Sequence, residues 1–252
     1  MSTLTADRSL VETDCLSDVE VVPADTSSTS LLELLLKEPA RLDALLRDQA
    51  RQREAVPRLL ALALAGFAIY GLAATVVLNA LLETRDYWPA GVPAAHWSDR
   101  SVANLLVAYC LGLVAANGVC LPSFYFYGLL AGVQTTMLGV TAHAMKGLAA
   151  SALALVGILP VYVSLALAVI VFPLPEKLLA VTSALGLALP FIAGLWGVRS
   201  LYQGFVCLSD TIPSERRGDR ACFLRRLLVA WCGCYTAVTP LMIYTLWNHF
   251  SG

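Results

Sequence analysis

The stretch SVANLLVAYCLGLVAANGVCLPSFYFYGLLAGVQTTMLGVTAHAM, residues 101–145, carries no Asp, Glu, Lys or Arg over 45 positions, and its reading decides the fold. A membrane span needs about 20 apolar residues. The stretch therefore makes either one long helix with an interfacial piece, or two spans broken near Pro122. Four further charge-free runs, Leu59 to Leu82, Gly147 to Pro175, Leu178 to Val198 and Leu227 to Gly252, make one helix each. The total is five spans or six.

Basic residues choose between the two. With five spans the N-terminus is cytoplasmic, and Lys37, Arg41, Arg47, Arg51, Arg53 and Arg58 precede the first span. Lys146 then falls on the second inner connection, and Arg216, Arg217, Arg220, Arg225 and Arg226 fall on the last. Only Arg85, Arg100 and Lys177 face outward. Six spans would move the arginine cluster outside, against the excess of Lys and Arg that short cytoplasmic loops carry. The expected fold is an all-α polytopic transmembrane bundle of about five proline-kinked spans, near Leu59–Leu82, Val102–Leu130, Gly147–Phe172, Leu178–Phe205 and Leu227–Trp247. Residues Ala131 to Lys146, with Gln134, Thr135, Thr136, Thr141 and His143, read as too polar to span and are placed in the inner interface. Phe172-Pro173-Leu174-Pro175 reads as a short turn.

Composition agrees: 58% of the 252 residues are hydrophobic and 14% charged, against roughly 25% charged in soluble domains. A mean hydropathy of +0.71 excludes a disordered chain, and a net charge of −1 excludes a polybasic nucleic-acid binder. The charge is unevenly placed. Residues 1–58 hold 18 of the 35 charged side chains, with a boundary at Pro57-Arg58. Residues 1–30 are polar, acidic and without apolar periodicity, the pattern of a disordered tail. No small-residue cleavage pattern precedes Leu59, so that run reads as an anchor and not as a signal peptide.

Residues 31–58 differ, because Ser30-Leu31-Leu32-Glu33 has the form of a capping box and Leu35, Leu42, Leu45 and Leu46 recur at helical spacing. They read as an amphipathic juxtamembrane helix whose leucine face packs on the bundle or lipid, or alternatively binds a partner. Pro39 is a kink or the first residue of a second helix, and Asp43 with Arg47 forms an i,i+4 pair.

The five spans contain no Asp or Glu at depth, which removes the group that proton-coupled transport ordinarily uses. Arg199, His143 and Lys146 read as interface or solvated residues. Asn79, Asn104 and Asn117 are the candidate polar intramembrane residues, either bonded between helices or lining a substrate path, with Asn117 nearest mid-span. Pro122, Pro160, Pro190 and Pro240 each free a backbone carbonyl that a neighbour must satisfy. They are packing kinks or hinges. Gly128 and Gly132 allow close helix approach, internally or in a homodimer. Trp88, Trp97 and Trp247 read as outer-interface aromatics. The seven cysteines form no CxxC, and Cys232 and Cys234 are too divergent on a helix to chelate, so no metal, cofactor or enzyme chemistry is expected. The arginine-rich loop from Leu208 to Arg226 is the candidate lipid or partner contact, for anionic lipid or an acidic partner such as the chain's own tail.

A cytosolic N-terminal region, five spans and the segment Cys120-Leu121-Pro122-Ser123-Phe124-Tyr125-Phe126-Tyr127-Gly128 together resemble the Yip-domain family of five-pass membrane proteins, particularly its bacterial relatives, over residues 59–247. The DLYGP-type motif of eukaryotic members is missing, so the resemblance implies topology and assigns no functional residue. Three lysines against 14 arginines favour a high-GC bacterial source and an inner membrane. The expected function is a non-enzymatic scaffold or accessory subunit that engages lipid, a protein partner or a second copy; the alternative is a small-molecule permease or channel. Alkaline phosphatase fused after Gly252 is expected to be active in a bacterial host. An inactive but well-expressed fusion would sink the five-span orientation.

Overall fold

The computed structural model describes residues 27–83, 101–130, 136–172, 176–209 and 217–251. These form seven helices, α1 Ser28–Lys37, α2 Pro39–Leu45, α3 Gln49–Glu83, α4 Ser101–Leu130, α5 Met137–Val171, α6 Glu176–Ser209 and α7 Arg217–Ser251, with no strand among the described residues. Five of them, α3 to α7, contain stretches long and apolar enough to cross a membrane. The protein is an integral membrane protein built as an all-α bundle. The decisive 45 residues do not make two spans: α4 continues through Pro122 to Leu130, and residues from Met137 on open α5.

Residues 137–146, expected in the inner interface, are thus the helical N-terminal end of α5. Thr136 is the N-cap of α5, its hydroxyl accepting from the Gly139 amide at 3.1 Å. A threonine in that position marks a helix start because it satisfies an amide that the first turn leaves open. At 1.5 Å rise per residue the 35 residues of α5 reach about 52 Å, well beyond a hydrocarbon core of about 30 Å. The surplus lies at the N-terminal end, where Val140, Ala142, His143, Ala144, Met145 and Lys146 are all buried. Residues 131–135 lie outside the described part.

Pro39 is the first residue of α2, so the second of its two readings holds, and α1 ends at Lys37. The cap of α1 sits three residues earlier than the expected capping box. Ser27 accepts from the Ser30 amide at 3.3 Å, while Glu33 instead pairs with Lys37 at 2.7 Å, which holds the exposed Glu33 carboxyl below its usual range. The composition boundary at Pro57-Arg58 breaks no helix, since α3 runs through it. Every long helix thus contains a proline: Pro57, Pro122, Pro160, Pro190 and Pro240. At the other end of α5, Phe172 is extended and precedes Pro173, which is why the helix stops at Val171.

The long helices pack as two groups. One comprises α3, α5 and α6, and the other is the pair α4 and α7, with sparser contact between the groups. Within the first group backbones touch. A Cβ on Gly197 would lie 2.6 Å from the Gly147 carbonyl oxygen, and one on Gly66 would lie 2.9 Å from the Ala152 Cβ. Such small-residue contacts are how helices gain dispersion energy where lipid supplies no hydrophobic drive. In the second group α4 and α7 run antiparallel: the Asn104 amide donates to the Phe250 carbonyl at 2.8 Å, and the Trp231 indole to the Cys120 carbonyl at 3.3 Å. Gly128 is buried near the end of α4, and Gly132 falls outside the described residues.

One proline is compensated across helices in full view. Pro190 has no amide to give the Gly186 carbonyl four residues back, and the hydroxyl of Tyr70, on α3, donates to that oxygen instead. Tyr70 is 2% exposed. Tyr70→Phe strands the carbonyl in an apolar interior and is expected to cost about 1–3 kcal/mol. Thermal unfolding in detergent checks this, and an unchanged midpoint would show that the bond does not hold α3 to α6.

Candidate functional site

Between the two helix groups lies a cavity of about 490 Å³ with residues from all five long helices on its wall. That size falls within the range of small-molecule sites. The wall is chiefly apolar and rich in aromatic rings, among them Phe67, Tyr70, Tyr109, Trp231, Tyr235 and Trp247. Trp231 stacks on Tyr235 with centroids 5.5 Å apart and tilts against Phe124 at 5.2 Å, which stiffens the α7 side. The Tyr235 hydroxyl is tied to the Leu113 carbonyl at 3.2 Å. Among the described residues no carboxylate, ammonium, guanidinium or imidazole lines the space.

Three residues that line the cavity each carry a polar atom packed out of reach of it and without a hydrogen-bond partner among the described residues: the Tyr109 hydroxyl, Asn117 Oδ1 and Trp247 Nε1. Asn117, the mid-span candidate, is 1% exposed. A buried orphaned polar group costs on the order of 1–3 kcal/mol. Trp247, expected at the outer membrane interface, lines the cavity near the end of α7, which runs on to Ser251. Asn104 closes the α4–α7 pair at the far end through Phe250, and Asn79 lies on α3 with its side chain outside the described residues.

The arginine cluster is not a loop. Because α6 extends to Ser209 and α7 begins at Arg217, the residues Arg217, Arg220, Arg225 and Arg226 stand on the first turns of α7. Arg226 is exposed, while Arg216 and the side chains of Arg217, Arg220 and Arg225 lie outside the described residues. The seven-cysteine reading gains one contact: Cys120 Sγ on α4 and Cys234 Sγ on α7 are 4.0 Å apart.

A second polar centre was read differently from sequence. Lys146 is fully buried and its ammonium donates to Asp43 Oδ1 at 2.6 Å, with His143 Nδ1 3.6 Å from the same oxygen. Lys146 and His143 are therefore not solvated, and Asp43 reaches across to α5. The physical cause is coverage: Leu42, Leu45 and Leu46 join the main core and seat α2 on the start of α5. On the other side α6 passes so close that a Cβ at Gly204 would meet the imidazole of His143. A sequence signal existed. Lys146 is the one cation between Ser101 and Pro175, and a cation so isolated between apolar runs needs an acid from elsewhere in the fold.

The chain matches no protein-family model, no curated protein and no solved structure. Fold and site define it as a five-span helical membrane protein with an aromatic, uncharged internal cavity and a buried ion pair at the end where its N-terminal helices dock.

Breaking a buried pair on one side leaves an uncompensated charge and costs about 3–5 kcal/mol, whereas replacing both partners by apolar groups is often neutral. Lys146→Met is expected to lower stability by that amount and to open Lys37 and Arg41 to trypsin. Asp43→Leu combined with Lys146→Met is expected to regain most of the resistance. Equal trypsin resistance in the wild type and Lys146→Met would mean the pair does not seat α2.

Proposed function

We propose that the protein is a non-enzymatic membrane scaffold or accessory subunit, with its N-terminus in the cytoplasm, its C-terminus in the periplasm and the bacterial inner membrane as its site. The observation that carries this reading is the Asp43–Lys146 contact, 2.6 Å long and buried. It fastens α1 and α2 to the bundle as a fixed platform. The outward side of that platform is laced with charge, Lys37 with Glu33 and Arg41 with Glu38, each at 2.7 Å, and Leu36 stands 65% exposed among them. Surface ion pairs of this kind add little stability. Their value is in presenting a patterned face. The arginines at the start of α7 supply the complementary feature, an attraction for anionic headgroups or an acidic partner worth about 1 kcal/mol per basic residue near the surface. A second copy of the chain is among the partners this platform would accept.

A small-molecule permease is the second reading, favoured by one observation, the cavity that all five spans line. The spans bring no acid or base to that cavity, so coupling to protons has no carrier there.

A photo-crosslinking amino acid placed at Leu36 in cells distinguishes the two. The scaffold reading expects a discrete protein adduct, to a partner or a second copy. Adducts to lipid alone would overturn it.

A further inference from the structure

We infer that Cys120 on α4 and Cys234 on α7 are a redox-active dithiol, which a quinone dissolved in the bilayer oxidises to a disulfide between the two helices. The site is independent of the scaffold reading. Proximity, selectivity and access support it.

The two sulfurs lie 4.0 Å apart although 114 positions of chain separate them, and both are free thiols. A disulfide bond is about 2.05 Å long, so about 2 Å remains to be closed. Bonds that the thiols do not make hold them opposite each other. The Trp231 indole, one turn before Cys234, donates to the backbone carbonyl of Cys120 itself at 3.3 Å. The Tyr235 hydroxyl, on the residue after Cys234, donates to the Leu113 carbonyl at 3.2 Å. The register of α4 against α7 is thus fixed on either side of the pair.

The other cysteines described, Cys110 and Cys232, are placed differently. Cys110 lies about 15 Å along α4 from Cys120, and Cys232 points about 200° around α7 from Cys234, where it lines the cavity. Only Cys234 meets Cys120 among the described residues.

Access selects the oxidant. Cys120 is buried and Cys234 is exposed, within the Val229–Phe250 span, the least covered of the five. A side chain exposed at that level faces hydrocarbon, so the acceptor must dissolve in lipid and take two electrons. Quinones do both. A metal ion held by two thiolates would instead leave charge in an apolar medium, and no group of three or more potential metal ligands occurs among the described residues. A hydroperoxide would pass through a polar sulfenic acid. The quinone route leaves only neutral, lipid-soluble products.

The exposed thiol reacts first. Cys234 Sγ adds to the quinone and its proton passes to one quinone oxygen. Cys120 Sγ then attacks Cys234 Sγ; the S–C bond breaks, its electron pair returns to the ring, and the Cys120 proton goes to the second oxygen. Two thiols and one quinone become one disulfide and one quinol. The bond ties α4 to α7 covalently at the cavity wall.

The test uses the full, reduced chain in lipid nanodiscs with decylubiquinone as the probe. Quinol is read by its ultraviolet absorbance, and the linkage by mass spectrometry after remaining thiols are blocked with N-ethylmaleimide. A peptide joining Cys120 to Cys234 is expected, with about one quinol per chain, as a two-electron couple requires. Cys120→Ser and, separately, Cys234→Ser are expected to abolish both signals, and Cys232→Ser to leave them at the wild-type level. Because Cys234 is exposed, Cys234→Ser is expected to keep the wild-type thermal midpoint, so its loss of signal is not a loss of fold. No linked peptide with the quinone, linkage by tert-butyl hydroperoxide alone, a disulfide through Cys232, or quinol formation that persists in Cys234→Ser would each overturn the assignment.

Discussion

The hydroxyl of Tyr70 on the Gly186 carbonyl is the contact around which the bundle is arranged. A backbone carbonyl cannot be left unpaired in a hydrocarbon environment, where no water is available to it, and Pro190 removes the amide that would have served it. One phenol from α3 answers that need, and in doing so fixes the register of α3 against α6. Only glycine suits the position: a Cβ at Gly186 would run into the hydroxyl end of Tyr162, which packs there from α5. Three helices are thus joined at one carbonyl, and Tyr70, Gly186 and Pro190 also form part of the cavity wall.

Close approach within α3, α5 and α6 has a consequence for the rest. Glycines 66, 147, 186 and 197 let these backbones and side chains meet at distances that any Cβ would forbid, whereas α4 and α7 meet through large rings and a hydroxyl reaching to a carbonyl. Two groups packed by different means do not close on each other completely. The space left between them is the cavity, and aromatic side chains from both groups surround it. Proline and glycine, which would weaken soluble helices, here decide where helices touch and where they leave room.

Much of the architecture was legible because bilayer thickness and basic-residue placement are one-dimensional constraints. Charge-free runs located all five spans, and the arginine positions favoured five over six, as α4 running unbroken through Pro122 bears out. Helix ends were less legible. A polar stretch such as Thr136 to Lys146 reads as interface on a hydropathy scale, and hydropathy does not show that Thr136 caps a helix whose first turns are covered by protein. The leucines at 42, 45 and 46 signalled a packed face, but not that this face would seat on the start of α5 and bury Lys146. Asn117 could be singled out as mid-span; that Tyr109 and Trp247 line the same cavity has no trace in spacing, because they come from different turns and from helices far apart in the chain.

The sequence by itself determined an all-α membrane protein, the number of its spans, their prolines and the uneven placement of charge, since each follows from local composition measured against a bilayer of known thickness. Only the tertiary structure decided which carbonyl Tyr70 would satisfy, that Asp43 would find Lys146 across 103 residues of chain, and that a cavity would remain between two helix groups. Those outcomes depend on which helix faces which, and that is set by side-chain volume and hydrogen-bond need at contacts between residues distant in the chain.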